Sequence, residues 1–483
     1  MSELSITNAK FSKWQSTHNF SNCKLKRHEY GEFLANYITG EKHGFVLNLN
    51  GAWGTGKTEF LKRFYTLLLQ RKHPVIYIDA WESDFSKDPL TVVASELLTQ
   101  LESFNSGIGS EEKTKQVKQF LSKALKGSLI GLAGIASAKL LNDSNIGMET
   151  VKQLFEDDSD NFRSQLTKDY AEQIEAIKEI RTGLGQLAEI LQQNYSATLP
   201  VVVLVDELDR CRPTYAIEML EVIKHFFSTK NFVFVVATDT KQLCHSIKAV
   251  YGNEFESQQY LKRFFDRKAS LPEPDLEHYL SSTDFKYPNI DLFPYFSSQP
   301  ESPTQNAVTV LARAYDLQIR DIDQLINKID ACLRTVDVTK RQSNKTQHIN
   351  IVALVIGLIE QDKGIDAYST RTNYYNSKFV PENHSFNVVP ELSISEYITR
   401  AMSCVILSKE TKESGYGQTY EYEYLPDGGV LGLNHSPRQH QAKHNWLMSL
   451  SKNTSLYNNK SSQSKYWLWD DLKALIELAG NIE

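Results

Sequence analysis

A chain of 483 residues is too long for one compact domain of typical size, so two or three domains are expected. Hydrophobic residues at 41% and charged ones at 23% are ordinary for a soluble globular protein, and a net charge of −6 argues against a globally cationic nucleic-acid binder. The five cysteines (Cys23, Cys211, Cys244, Cys332, Cys404) show no C-x-x-C spacing, which argues against a zinc ribbon or disulfide framework and suggests a reducing compartment.

Residues 1–26 are polar and aromatic by turns and read as an irregular lead-in. They hold no apolar core after a charged start, so no signal peptide is expected and the chain reads as cytoplasmic. A short helix is predicted over 27–38, with Tyr30, Phe33, Leu34, Tyr37 and Ile38 on one face.

Residues 45–50, FVLNLN, read as a buried strand. Next comes Gly51-Ala52-Trp53-Gly54-Thr55-Gly56-Lys57-Thr58, which fits G-x-x-x-x-G-K-[ST] at every fixed position and is followed by Glu59. A helix follows, with Phe60, Phe64, Leu67 and Leu68 at helical spacing. Strand, glycine loop and helix are the order a phosphate-binding loop needs. The glycines let successive N–H groups point inward at phosphate oxygens, and the helix adds the positive end of its dipole. In that reading residues 51–59 cradle the nucleotide, Lys57 reaches the β- and γ-phosphates, and the Thr58 hydroxyl ligates Mg²⁺.

A second apolar run over 75–81 ends in Asp79 and Trp81, where ligand-facing residues of an open α/β sheet belong. A helix is expected over 89–101. No strand signal appears from about 105 to 195, which reads as a helical insertion. Its Gly- and Ala-rich apolar stretch, from Ser128 to Ala138, lies between Lys126 and Lys139 and falls short of the roughly 20 residues of a membrane helix. A buried or partner-facing helix is the expectation there. Residues 161–195 are predicted as one long helix with Leu184, Leu191 and Tyr195 on its apolar stripe, weakened in the middle by Gly183 and Gly185.

The run VVVLVDELDRC, 201–211, indicates a strand buried on both faces that ends in Asp206 and Glu207. Asp206 is placed to hold Mg²⁺ and Glu207 to orient or deprotonate the attacking water, provided that this strand lies beside the one feeding the glycine loop. Helix over 213–227 and a further buried strand, FVFVVATD, come next. Thr238 and Asp239 end that strand, where a polar residue can sense the γ-phosphate. Helices are expected over 241–250 and 257–266, then an edge strand over 267–271. Strands alternating with helices give a doubly wound parallel sheet. Residues 276–305 read as a linker or irregular excursion, and mainly helices are expected from 307 to 479. His440 and His444 read as part of a solvated basic patch, and Trp446, Trp467 and Trp469 as core.

Strand-DELDRC-x-Pro after a phosphate loop resembles the KAP P-loop NTPases. Three more stretches are similar to that family's pattern: Tyr77-Ile-Asp-Ala-Trp81-Glu82, with Asp79 where the family usually has Asn; Tyr251-Gly252 with Tyr260-Leu261-Lys262-Arg263-Phe264-Phe265-Asp266; and Leu271-Pro272. The resemblance covers roughly 27–275 and implies an ATP-hydrolysing core related to STAND and AAA+ proteins, with ATP and Mg²⁺ bound. The expected division is a lead-in over 1–26, a core over 27–275 and a mainly helical domain over 276–483. Arg263 or Arg267 could serve as an arginine finger, in cis or from a second copy. Arg320 resembles the arginine of a lid helix. The leading expectation is a regulated, oligomeric switch or assembly engine with an effector protein, in antiphage defence. The alternative is a DNA-acting ATPase working with a nuclease or other effector; no membrane partner is expected.

Overall fold

The computed structural model describes residues 4–41, 44–86, 89–104, 115, 159–226, 228–281, 283, 287, 290–297, 302–371, 381, 385–413, 419–425, 441–459 and 462–481. The chain divides into two compact units, Met1–Glu273 and Pro274–Glu483. The apolar stretch at 128–138 lies outside the described residues.

In the first unit, five strands form one parallel sheet: β1 (Phe45–Asn50), β2 (Val75–Asp79), β3 (Val201–Asp206), β4 (Phe232–Thr238) and β5 (Arg267–Ser270), in the order β2-β3-β4-β1-β5. Every strand pair is parallel. β3 and β4 are buried at every position, which explains why their sequences run apolar rather than alternate. Helices flank the sheet: α1 (His28–Thr39), α2 (Lys57–Gln70), α3 (Pro89–Ser103), α4 (Ser159–Tyr195), α5 (Pro213–Phe226), α6 (Thr240–Tyr251) and α7 (Ser257–Leu261). α2 packs on β2, β3 and β4, while α3 packs on α5 and α5 on α6.

Three expectations change. In α1 the buried stripe is Gly31, Leu34, Ala35 and Ile38, whereas Phe33 and Tyr37 are exposed. The reason is local: the Phe20 ring closes on Gly31, where a Cβ would sit 2.4 Å from Phe20 Cζ, and this turns the helix. In α4, Gly183 and Gly185 are buried, and the Lys230 backbone lies 3.5 Å from where a Gly185 Cβ would be, so a close approach sets that glycine. The helix expected over 257–266 stops at Leu261 because the chain must enter the sheet: Asp266 gives its N–H to the Val46 carbonyl, and its Oδ2 accepts the Val46 N–H.

The second unit is built around helix Ile351–Asp362, buried on all sides from Ile351 to Glu360. Helices Pro303–Ala314, Ile319–Ser343, Ile394–Ser403 and Trp469–Gly480 pack against it. Gly357 admits the last of these, since a Cβ there would fall 2.4 Å from Ile476 Cδ1. Trp446, Trp467 and Trp469 are buried as expected. Arg320 is exposed on its helix, His444 is half-buried on helix Gln441–Asn458, and His440 lies outside the described residues. The region also contains strands where loops and helix were expected. Ile290–Phe293, Thr346–Asn350 and Ser464–Tyr466 form a parallel sheet, and Leu276–Ser281 is helical. Ser408–Glu413 pairs with Thr419–Tyr424 in a hairpin whose second strand, TYEYEY, carries the period of two that marks a strand.

One charge cluster sits in this core. Glu360 and Arg371 are both fully buried; Arg371 Nη2 meets Glu360 Oε1 at 2.6 Å, Nε meets Oε2 at 2.9 Å, and the Tyr315 hydroxyl donates to Oε1 at 2.7 Å. Removing one partner strands the other charge away from water. Arg371→Met is expected to destabilise the unit by about 3–5 kcal/mol, and the double variant Arg371→Met/Glu360→Leu to recover much of that loss. Urea midpoints of the full chain check it, and equal midpoints for parent and Arg371→Met would contradict it.

Candidate functional site

After Asn50 the chain turns where side chains cannot follow. Gly54 and Gly56 have φ of 79° and 82°, the left-handed region open to glycine, and a Cβ on Gly51 would collide with Thr55 Oγ1 at 2.8 Å. The turn is braced from several sides. Gly51 N–H donates to the Thr238 carbonyl at 3.1 Å, and Trp53 N–H to Asp239 Oδ2 at 3.1 Å. Arg27, which is buried, donates to the Thr55 carbonyl at 2.7 Å and to the Pro272 carbonyl at 2.8 Å. Burial pulls its pKa down to about 10, so it remains cationic at neutral pH. Among the described residues no acceptor meets the backbone N–H of Gly54, Gly56, Lys57 or Thr58. Four backbone donors without a partner in a glycine loop that opens a helix are what an anion cradle needs. Lys57 Nζ folds back onto the Gly51 carbonyl at 2.8 Å and lies 3.7 Å from Asp209 Oδ2. Glu59 faces the other way, paired with Arg63 one turn on.

The acidic pair arrives from β3, but not from the neighbour of β1. β4 lies between them, which corrects the expected adjacency. The gap is closed by side chains: the Thr58 hydroxyl donates to Glu207 Oε1 at 2.8 Å. Asp206 is fully buried; it accepts the Tyr77 hydroxyl at 2.9 Å and the Glu207 N–H at 2.9 Å. Burial first, and the Glu207 carboxylate second, push its pKa up to about 6. Asp209 is also buried; its Oδ2 accepts the Trp53 indole N–H, while its Oδ1 has no partner. The buried Asp206 carboxylate, its pKa raised by burial, and the Thr58 hydroxyl at the start of α2 are oxygen donors of the kind a hard divalent cation takes. Mg²⁺ fits these residues.

Thr238 and Asp239 turn out to be structural neighbours of the loop. The Thr238 hydroxyl donates to Asn48 Oδ1 at 3.0 Å within the sheet. Asp239 caps α6 through Oδ1, taking the N–H groups of Lys241 and Gln242, and reaches the loop through Oδ2. Arg263 and Arg267 are exposed, and no described contact joins either to the loop. A cavity of about 910 Å³ opens beside α6, α7 and β5, lined by Asn50 at the end of β1, Lys241, Lys248 and Lys268 among others, and its lining includes no residue of the 51–59 loop. Sequence reasoning missed Arg27 and Asp209 as parts of the site. Asp209 had a signal in DELDR; Arg27 had none, because only the fold carries it to Thr55.

A parallel five-stranded sheet, a glycine loop opening a helix, and an acidic strand end in contact with that helix define a P-loop NTPase domain. The chain belongs to the KAP family: the pattern of the KAP family P-loop domain matches residues 27–336, running past the core boundary expected at 275. It is also similar to the "Phage T7 exclusion protein" of Escherichia coli (strain K12), at 21% identity over 293 residues, which take in 59% of this chain and 38% of that protein. The chain thus spans well under half the length of that relative. No helix among the described residues is long and apolar enough to cross a membrane.

The Asp206 shift has a definite sign. The folded chain holds this proton more tightly than the unfolded one, so stability falls as pH rises from 3.8 to about 6, and the penalty is complete above that window. Asp206→Asn keeps the shape and the Tyr77 bond. It is expected to stabilise the nucleotide-free protein at neutral pH by on the order of 2 kcal/mol, with the gain shrinking as pH falls toward about 4. Melting curves of parent and variant across this range test it, and a pH-independent difference would contradict it.

Proposed function

We propose that this chain binds MgATP in the 51–59 loop and hydrolyses it, working as a regulated switch in an assembly of its own copies. The observation that carries the reading is the Thr58–Glu207 contact at 2.8 Å, because it joins the loop's helix to the acidic strand end in one site. The N–H groups of Gly54, Gly56, Lys57 and Thr58 receive phosphate oxygens, and the Lys57 ammonium leaves the Gly51 carbonyl for the β- and γ-phosphates. Thr58 and Asp206 are the residues that would hold magnesium. That ion, when bound, offsets phosphate charge and orients the leaving group. Glu207 takes the proton of the attacking water, and burial around Asp206 keeps that chemistry away from bulk solvent.

One of the exposed arginines, Arg263 or Arg267, supplies the cation that a second copy brings to the γ-phosphate. Likeness to the phage exclusion protein supports a role in defence against phage, in which the nucleotide state sets the activity of an effector protein.

Saturating MgATP at about 100 times its dissociation constant is expected to stabilise the chain by about 2.7 kcal/mol. Lys57→Ala loses this shift, whereas Glu207→Gln keeps it and loses turnover. An unmoved melting temperature for the parent would sink the reading, and full turnover by Glu207→Gln would remove Glu207 from its role. For the assembly, specific activity should rise with protein concentration, and Arg263→Ala or Arg267→Ala should be rescued by mixing with Glu207→Gln. Activity independent of concentration, from a monomer, would contradict it.

A further inference from the structure

Glu207 sits in the left-handed region at φ 59°, ψ 22°, a conformation that costs a non-glycine residue about 1–3 kcal/mol and persists where its surroundings enforce it. The next three residues enforce it here. Leu208–Arg210 makes one tight turn, closed by Arg210 N–H on the Glu207 carbonyl at 3.2 Å, and this brings the Arg210 side chain back over Glu207. Arg210 Nε meets Glu207 Oε2 at 2.5 Å. The guanidinium carbon lies 5.7 Å from the centre of the Trp81 ring, within cation–π range. Trp81 comes just after β2, and the preceding Ala80 N–H is bonded to the Asp206 carbonyl at 3.0 Å, so the shelf under Arg210 is tied to the strand that presents the acids. The indole is 55% exposed, and packing does not account for it.

We propose that Arg210, backed by Trp81, is the positioning residue of the hydrolytic site: it holds one carboxylate oxygen of Glu207 so that the other faces the water. The two oxygens have different partners. Oε2 is held by Arg210, and Oε1 by the Thr58 hydroxyl. Thr58 lies in the loop, so Oε1 is the oxygen turned toward the nucleotide side of the site, while Oε2 stays with Arg210. A base anchored by one oxygen and open at the other keeps its orientation through the reaction, and lost orientation costs on the order of 100-fold in rate. The inference rests on the ATPase reading above.

Arg210→Ala, Arg210→Lys, Trp81→Ala and the double variant Arg210→Ala/Glu207→Gln are compared with the parent in the full chain. The readouts are kcat, KM, melting temperature, and MgATP affinity by displacement of a fluorescent ATP analogue. Arg210→Ala should lower kcat about 10- to 100-fold with KM and affinity within about twofold. Arg210→Lys should recover part of the loss, and Trp81→Ala should show a smaller fall than Arg210→Ala. The double variant should be no slower than Glu207→Gln alone, because Arg210 acts through Glu207. An unchanged or raised kcat in Arg210→Ala, a loss expressed in affinity, or a double variant slower than Glu207→Gln would overturn the proposal. A parent that binds MgATP without Lys57-dependent turnover would instead overturn the ATPase reading, and this proposal with it.

Discussion

The first unit depends on the register of its parallel sheet. Asn50 pairs with Thr238, Val205 with Val236 and Asp79 with Asp206, so four strands end at nearly the same level. Each ends in a polar residue, Asn50 and Asp79 half-buried and Asp206 and Thr238 fully buried, where the backbone leaves the sheet. Parallel strands all point the same way, so these polar ends gather at one edge and meet the loop that leaves β1. The bonds that build the site, from Gly51–Thr238 to Thr58–Glu207, require that alignment.

The same edge holds groups that folding alone would avoid. Asp206 has a raised pKa in a fully buried position, Asp209 keeps an unpartnered buried oxygen, and Glu207 holds an unfavourable backbone. Arg27 is a buried cation bonded to two carbonyls, with its Nε unpartnered. Each is a local cost that the apolar sheet beneath must offset, and such costs concentrate where a ligand supplies the missing partner. A divalent cation would relieve the carboxylates, and phosphate oxygens would satisfy the free N–H groups of the cradle.

The second unit solves a different problem. Its central helix, Ile351–Asp362, is apolar all round and is stable only when covered on every side, which the surrounding helices achieve. The charged cluster inside, Glu360 with Arg371 and Tyr315, meets both Glu360 oxygens with donors, as a buried ion pair requires.

Local chemistry was legible in the sequence where one residue type has one use. Gly51, Gly54 and Gly56 mark a backbone that side chains would block, and the unbroken apolar run before Asp206 marks a strand buried on both faces. Helix α2 was evident from the spacing of Phe60, Phe64, Leu67 and Leu68. Short strands were not: Thr346–Asn350 is a few residues beside a helix whose strand partners are far away in the chain, and the partner of Thr419–Tyr424, SKETKE, carries no apolar alternation of its own. Contacts between distant segments belong to the tertiary structure alone. The sequence placed the acidic pair at a strand end but not the strand order, which puts β4 between β3 and β1. It placed Arg27 in a helix start but not under Thr55, 28 residues on, and it put Trp81 and the DELDRC run in separate motifs without bringing Trp81 and Arg210 together. Side-chain spacing along the chain is set by bond geometry and is local, whereas the partner a side chain meets is set by how whole elements bury their apolar faces, and only the assembled fold decides that.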